Sequence, residues 1–272
     1  MRPLAIHLHN MAQRTPAWEE IRQLYVGASD AKIVVSPGRN GRESAARRDL
    51  RMTKALAQLG VTVPTSRYTN PDIERGIRLE PAAISAVELE TGCLVTPVGY
   101  VSCDTIAAGC SPDGFMGTET VLEVKCPRPS TQWATCQLNH QRGLEGTPTI
   151  YHPQILHTFA LTGRYTLTYA SYCPQLPPEL ELYLHEVYIY DVEEEVDAYL
   201  ETLMAFLGEI EAEATALDEA VCRERATDFN WRRYPCPGPF VTTRAGWWDQ
   251  RKSEKDATAD GVSAEKGTEN AS

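Results

Sequence analysis

One short stretch constrains this chain most: Ser111-Pro112-Asp113-Gly114, with Glu123 ten residues after the aspartate in a segment reading Val121-Leu122-Glu123-Val124-Lys125-Cys126. In an extended strand, successive side chains point to opposite faces and residues two apart share one. Glu123 and Lys125 therefore project together, while Leu122 and Val124 project the other way. Such a strand can anchor its apolar face in a core and stand its acid and base in a cleft. The segment from Cys110 to Phe115 reads as a second strand or its end, with Gly114 and Gly117 permitting the turn that brings Asp113 alongside Glu123. Converging carboxylates offer hard oxygen donors of the kind Mg2+ takes, with Mn2+ as a substitute. A water on such an ion can attack a phosphodiester, oriented and helped to lose its proton by Lys125. A Glu-x-Lys pair in isolation is more often a solvated surface pair, so the rest of the chain has to decide.

Five further pieces stand in order around that strand. They are Trp18-Glu19-Glu20-Ile21-Arg22, Gly27-Ala28-Ser29, Glu74-Arg75-Gly76-Ile77-Arg78-Leu79-Glu80, the Ser-Pro-Asp-Gly already named, and Tyr151-His152-Pro153-Gln154 before an apolar run. Each alone is weak. Together, over residues 14 to 215, they resemble the lambda-exonuclease-like (YqaJ-type) viral recombination nucleases, a branch of the PD-(D/E)xK superfamily. The resemblance implies an α/β fold with a restriction-endonuclease-like core, a central mixed β-sheet flanked by helices. It implies that Asp113 and Glu123 ligate metal, joined by the backbone carbonyl of Val124 and by Glu80, and that Lys125 is the catalytic lysine. It further implies a pocket for a DNA 5′ phosphate built from Arg22, Ser29, Ser111 and Gln154. Those residue types suit the task, because arginine offers a rigid fork of donors and hydroxyls and amides add short neutral contacts.

The expected activity is that of a Mg2+-dependent deoxyribonuclease, an exonuclease digesting one strand of linear duplex DNA from 5′ to 3′ and leaving a 3′ single strand for recombination by strand annealing. The alternatives are an endonuclease of restriction or repair type on the same core, and a catalytically inactive DNA-binding module, which would be expected to lack a ligand. Expected partners are duplex DNA ends, a single-strand annealing protein and copies of the same chain, most simply in a trimer. Two departures from the family pattern stand out: Asp104 lies near a family acid but shifted by one residue, and the segment from Pro127 to Tyr151 is longer than expected.

Composition fits a single nuclease domain over residues 1–248 with a disordered polar tail over 249–272, since beyond Asp249 bulky apolar residues almost vanish. The net charge of -11 looks unsuited to DNA until it is located: between residues 179 and 224, fifteen Asp and Glu stand against one Arg. Most of that acidity falls on an expected helix from about Val192 to Cys222, whose Val196, Tyr199 or Leu200, Leu203, Phe206 or Leu207, Ile210, Ala214 and Leu217 recur at helical spacing. Its acidic face reads either as solvated surface or as a docking surface for a basic partner. Residues 36–53 form a basic loop running into a helix and could touch backbone phosphates. Helices are also expected after Thr15-Pro16, and over Arg75 to Thr91 with a stripe of Ile77, Ala83 or Ile84, Val87 and Leu89 interrupted by Pro81. Alternation from Tyr165 to Tyr172 and from Leu182 to Tyr190 suggests two more strands, and the Trp-rich residues 229–249 could pack against the core, which is the simplest reading, meet another subunit or stack on bases.

Eight scattered cysteines without a Cys-x-x-Cys pair read as reduced thiols, with no iron–sulfur cluster. The six histidines lack zinc-hydrolase spacing and none is assigned to catalysis, His152 being nearest the inferred site. No phosphate-binding Gly-x-x-x-x-Gly-Lys motif implies ATP, and no apolar run reads as a membrane span or signal segment, so a cytoplasmic protein is expected.

Overall fold

The strand pattern read around residue 123 is realised as part of a five-stranded sheet in the computed structural model, which describes residues 5–36, 38, 42–61, 70–103, 105–138 and 141–227. The strands of the molecule are β1 (Ile6–His9), β2 (Val26–Gly27), β3 (Val95–Thr96), β4 (Tyr100–Cys103), β5 (Ala108–Cys110), β6 (Gly114–Met116), β7 (Thr120–Lys125), β8 (Thr166–Tyr172) and β9 (Leu182–Tyr188). The mixed sheet runs in the order β3-β6-β7-β8-β9, with β7 and β8 parallel and the other neighbours antiparallel. A second sheet runs β1-β4-β5-β2. The chain thus leaves one sheet at Cys110 and enters the other at Gly114, so the expected single strand from Cys110 to Phe115 is two short strands with Ser111-Pro112-Asp113 as the crossing. Proline, which has no N–H for a ladder, suits that break.

The helices are α1 (Pro16–Leu24), α2 (Ala31–Val34), α3 (Ala45–Gln58), α4 (Pro71–Thr91), α5 (Pro129–Cys136), α6 (His152–Thr162), α7 (Pro178–Glu181) and α8 (Glu193–Thr227). Their starts follow ordinary capping chemistry. Thr15 caps α1 ahead of Pro16, Ser44 caps α3 by accepting from Arg47, and Asn70 caps α4 by accepting from the amides of Asp72 and Ile73. Gly92, at φ 69°, ends α4 in the left-handed conformation that glycine adopts without a Cβ penalty.

Both faces of the mixed sheet are covered. Leu122, Val124, Ala170 and Tyr172 pack with Ala83 and Val87 of α4, whereas Val121, Leu167 and Tyr169 join the larger core with Ile155 and Phe159 of α6 and Tyr199, Leu203 and Phe206 of α8. The α4 stripe is shorter than the sequence suggested, because Ile77 and Leu89 are exposed and only Ala83 and Val87 are fully buried. The α8 stripe is buried as expected at Val196, Tyr199, Leu203, Phe206, Leu207, Ile210 and Ala214, whereas Leu200 and Leu217 are half-buried. Buried His157 bonds Tyr199 (2.7 Å) and the Gly109 carbonyl (3.0 Å) and is structural; burial pushes it down to about 4.

The described residues up to Asp218 form one compact unit. The expected boundary at 248/249, the Trp-rich segment 229–249, the tail and Asp104 lie outside the described residues. The cysteines of the described residues stand as free thiols. No helix among those residues is long and apolar enough to cross a membrane.

Charge on α8 has a specific partner. Arg47 of α3 grips Glu209 in a two-pronged pair (2.6 and 3.0 Å) and also meets Glu43 (2.9 Å), while Arg51 pairs with Glu43 and Glu213. The basic face expected to meet DNA phosphates is, at Arg47 and Arg51, turned onto this chain's own acidic helix.

Candidate active site

Register places the two central carboxylates. Gly114 lies opposite Leu122 on the antiparallel pair β6–β7, and the Asp113 amide donates to the Leu122 carbonyl (3.2 Å), so Asp113 falls alongside Glu123. Its side chain is fixed further by the Val124 amide, which donates to Asp113 Oδ2 at 2.6 Å. Glu123 and Lys125 share a face as the alternation requires, and Lys125 Nζ is hydrogen-bonded to Glu123 Oε1. Gln154, in the first turns of α6, donates to the same oxygen (2.5 Å), and Tyr151 presents its ring 5.1 Å from Lys125 Nζ. One expectation needs correction: Glu123 does not stand in the cleft beside Lys125, being 3% exposed on the sheet's α6 side and absent from the cleft's lining.

Beside this cluster opens a cleft of ≈ 520 Å³ lined by Glu80, Asp113, Val124, Lys125 and Tyr151 together with Arg14, Asn70, Asp72, Arg75 and Arg128. Glu80 reaches it from α4 and is paired with Arg14. Asp72 is held by Arg128 (2.6 and 3.0 Å) and Arg75 (2.8 Å), which fixes the start of α4 to the segment after β7.

Electrostatics mark the site. Burial and the neighbouring Glu123 push the Asp113 carboxyl up to about 8, against the opposing pull of Lys125 and the Val124 amide. Burial works to lower the Lys125 ammonium, but Glu123 and Asp113 beside it overcome this and hold it above its ordinary range. In this state the Lys125 ammonium is a hydrogen-bond donor, as in its bond to Glu123. The excess negative charge on a set of oxygen donors is what a hard divalent cation relieves. Asp113, Glu123, Glu80 and the Val124 carbonyl fit such an ion by donor type. Among the described residues, however, no three His, Cys, Asp or Glu side chains converge closely enough to hold one as they stand. Glu80 is engaged by Arg14, and Glu123 by Lys125 and Gln154.

The residues expected to grip a 5′ phosphate divide. Arg22 of α1 donates to Ser29 Oγ (3.3 Å) and lies 4.2 Å over the Trp18 ring. Trp18 Nε1 in turn donates to Ser111 Oγ (2.7 Å) and to the Gly99 carbonyl (3.2 Å), and Ser111 donates to that carbonyl too (2.8 Å). Arg22, Ser29 and Ser111 are therefore one connected group. Gln154 is not among them; it sits with the carboxylates. Gly99 is required where it is, because a Cβ there would lie 2.3 Å from the Met11 carbonyl.

Four residues of these networks were missed from the sequence. Trp18 was noted only within a motif, although its indole N–H joins α1 to the Ser-Pro-Asp turn. Lys54 of α3, which is buried, donates to the carbonyls of Arg22 (2.9 Å) and Tyr25 (2.6 Å) and approaches Asp30 to 3.8 Å, tying α1 to the 3-10 turn Ala28–Asp30 that carries Ser29. Burial lowers its ammonium. A lysine in a helix of mixed charge gives no sequence signal for such a role. Gln13 donates to the carbonyls of Val98 (2.8 Å) and Pro112 (2.9 Å), and Arg14 reaches Glu80.

Residues 17–165 match the family model of the YqaJ-like viral recombinase domain. The alkaline exonuclease LHK-Exo from Laribacter hongkongensis is 27% identical, with a TM-score of 0.65, over 77% of this chain and 99% of that one. A second structure of LHK-Exo, in complex with dAMP, matches with the same values. No curated protein sequence matches the chain.

Proposed function

The chain belongs to the family of YqaJ-like viral recombinase domains, and from that premise we propose that it is a metal-dependent DNA exonuclease that degrades one strand of linear duplex DNA from a phosphorylated 5′ end. The observation carrying the proposal is the joining of two groups at one turn. Ser111 belongs to the Arg22–Ser29–Trp18 network, and Asp113, two residues on, belongs to the carboxylate–lysine cluster. A phosphate held by Arg22, Ser29 and Ser111 would set the next phosphodiester at Asp113, Glu123 and Lys125. The dAMP complex of LHK-Exo, the 27% identical relative, supports a deoxynucleotide as what such a site accepts.

The residues divide the work. Arg22 and the two serine hydroxyls bind and orient the terminal phosphate through charge-assisted hydrogen bonds. Asp113, Glu123, Glu80 and the Val124 carbonyl would hold Mg2+ or Mn2+. That ion, when bound, supplies an acidified water and polarises the scissile phosphate. Lys125, held protonated, donates to an oxygen at the reacting centre, and Gln154 fixes Glu123. Hydrolysis places the water oxygen on phosphorus and breaks the bond to the 3′ oxygen, which takes up a proton. The departing nucleotide keeps its own 5′ phosphate, and the shortened strand begins with a new one, ready for the same pocket. The reading extends by family to a trimer around DNA, a cytoplasmic setting and a single-strand annealing partner that coats the exposed 3′ strand.

The test is digestion of linear duplex bearing a 5′ phosphate or a 5′ hydroxyl, beside closed circular DNA, in Mg2+ or chelator, with wild type and Lys125→Ala. Faster loss of the phosphorylated linear strand, only with metal and only by wild type, is expected. Equal cutting of closed circles would favour an endonuclease, and end binding without cutting in any metal would favour an inactive module.

A further inference from the structure

Arg14 is the only described residue other than glycine with a positive φ, at 65°. For an arginine this left-handed conformation is disfavoured by its Cβ, so something must hold it there. The flanking residues do. Gln13 anchors the segment by donating to the Val98 and Pro112 carbonyls, the latter belonging to the residue before Asp113. On the other side Thr15 caps α1 and donates to the Ala12 carbonyl (2.8 Å). Clamped between them, Arg14 extends its guanidinium into the catalytic cleft and pairs with Glu80 across a sequence separation of 66 residues. The pair is partly open to solvent, with the side chains 43% and 23% exposed, so it can exchange. Glycine would satisfy this backbone without strain and would leave the Glu80 carboxylate free.

We propose that Arg14 is an exchangeable counter-ion for the metal site. It neutralises Glu80 while the cation is absent, yields that carboxylate when the cation arrives, and is then released to contact a DNA phosphate in the same cleft. This rests on the metal-dependent reading of the cleft given above. The physical basis is competition: one carboxylate cannot satisfy a guanidinium and a divalent cation equally, so each weakens the other's hold. Released beside Lys125 and Arg75, the guanidinium would lie among the cleft's other cations, where a polyanion is the natural partner. Binding of metal and binding of DNA would then be linked through one side chain.

Two measurements decide it, neither depending on turnover. In calorimetric titration of DNA-free protein with Mn2+, Arg14→Gly should bind about 2- to 5-fold tighter than wild type, the scale of a partly exposed ion pair. The gain should disappear in a Glu80→Gln background, because the competitor then has nothing to compete for. Unchanged or weaker Mn2+ binding by Arg14→Gly would overturn the proposal while leaving the nuclease reading intact; absence of Mn2+ binding by wild type would overturn both. In the second, duplex binding is followed against salt in a Lys125→Ala background. There Arg14→Gly should lower the salt slope by about one, one phosphate contact, in Mn2+ but not in chelator. An equal slope change with and without Mn2+ would refute the exchange.

Discussion

The carboxylate cluster at the end of β7 and the Trp18 network beside it lie either side of one tripeptide turn, yet they are built on opposite principles. Around Ser111 the donors of the network find acceptors, indole to hydroxyl, hydroxyl to carbonyl, ammonium of Lys54 to the carbonyls of Arg22 and Tyr25, although the buried Tyr100 hydroxyl nearby has none among the described residues. Around Asp113 the groups conflict, with a carboxyl forced up to about 8 by burial and a neighbouring carboxylate. A satisfied network holds a shape, whereas a conflicted one stores a demand that a ligand can meet. On the proposed reading, the difference teaches that end selection would rest on preorganised geometry and the chemical step on unresolved charge.

Breaking the conflicted side should cost most. Lys125→Ala is expected to lower kcat by about 10²- to 10³-fold, the range for losing a donor at the reacting centre, and equally on phosphorylated and unphosphorylated ends in steady-state digestion. Breaking the satisfied side should cost less and choose its substrate: Arg22→Ala should lower kcat/KM about 10- to 100-fold, the worth of hydrogen bonds to a charged group, for 5′-phosphorylated ends only. Similar losses from Arg22→Ala on both kinds of end would erase the distinction.

The two sides should also differ in their response to pH. The folded protein holds a proton on Asp113 up to about 8, while an unfolded aspartate loses it near 3.8. Between those values the folded state binds more protons, so stability of the metal-free protein should fall as pH rises, by up to about 1.4 kcal/mol per unit at full linkage. Melting temperatures from pH 5 to 8 should show this slope, and Asp113→Asn or added Mg2+ should flatten it, the cation replacing the proton. Arg22→Ala should leave it as in wild type. The smallest effect belongs to Trp18→Phe. It keeps the ring but removes the donor to Ser111 and Gly99, and should cost about 0.5–1.5 kcal/mol in chemical denaturation while narrowing the preference for phosphorylated ends.

Much of this was legible in the residue string because its cause is local. The period of two in β7 puts Glu123 and Lys125 on one face whatever surrounds them, and the α8 stripe of Val196, Leu203 and Ile210 is fixed by helical geometry. Partner choice was not legible. The arginines of α3 looked available for phosphates, and only the packing of α3 against α8 turns Arg47 and Arg51 onto Glu209 and Glu213. Gln154 was expected with the phosphate group and is found on Glu123, since one turn of α6 decides which neighbour its amide meets. Arg14 carries no periodic or motif signal, because its role depends on a backbone conformation that the letters alone do not reveal.

The most direct test of the whole account is the identity of the first product released from a 5′-phosphorylated linear duplex in Mg2+, read by mass spectrometry in a single turnover. A deoxynucleoside 5′-monophosphate from the phosphorylated terminus, with the complementary strand intact and nothing released by Asp113→Asn, is the predicted result. Release from the 3′ terminus, internal fragments, or undiminished release by Asp113→Asn would contradict it.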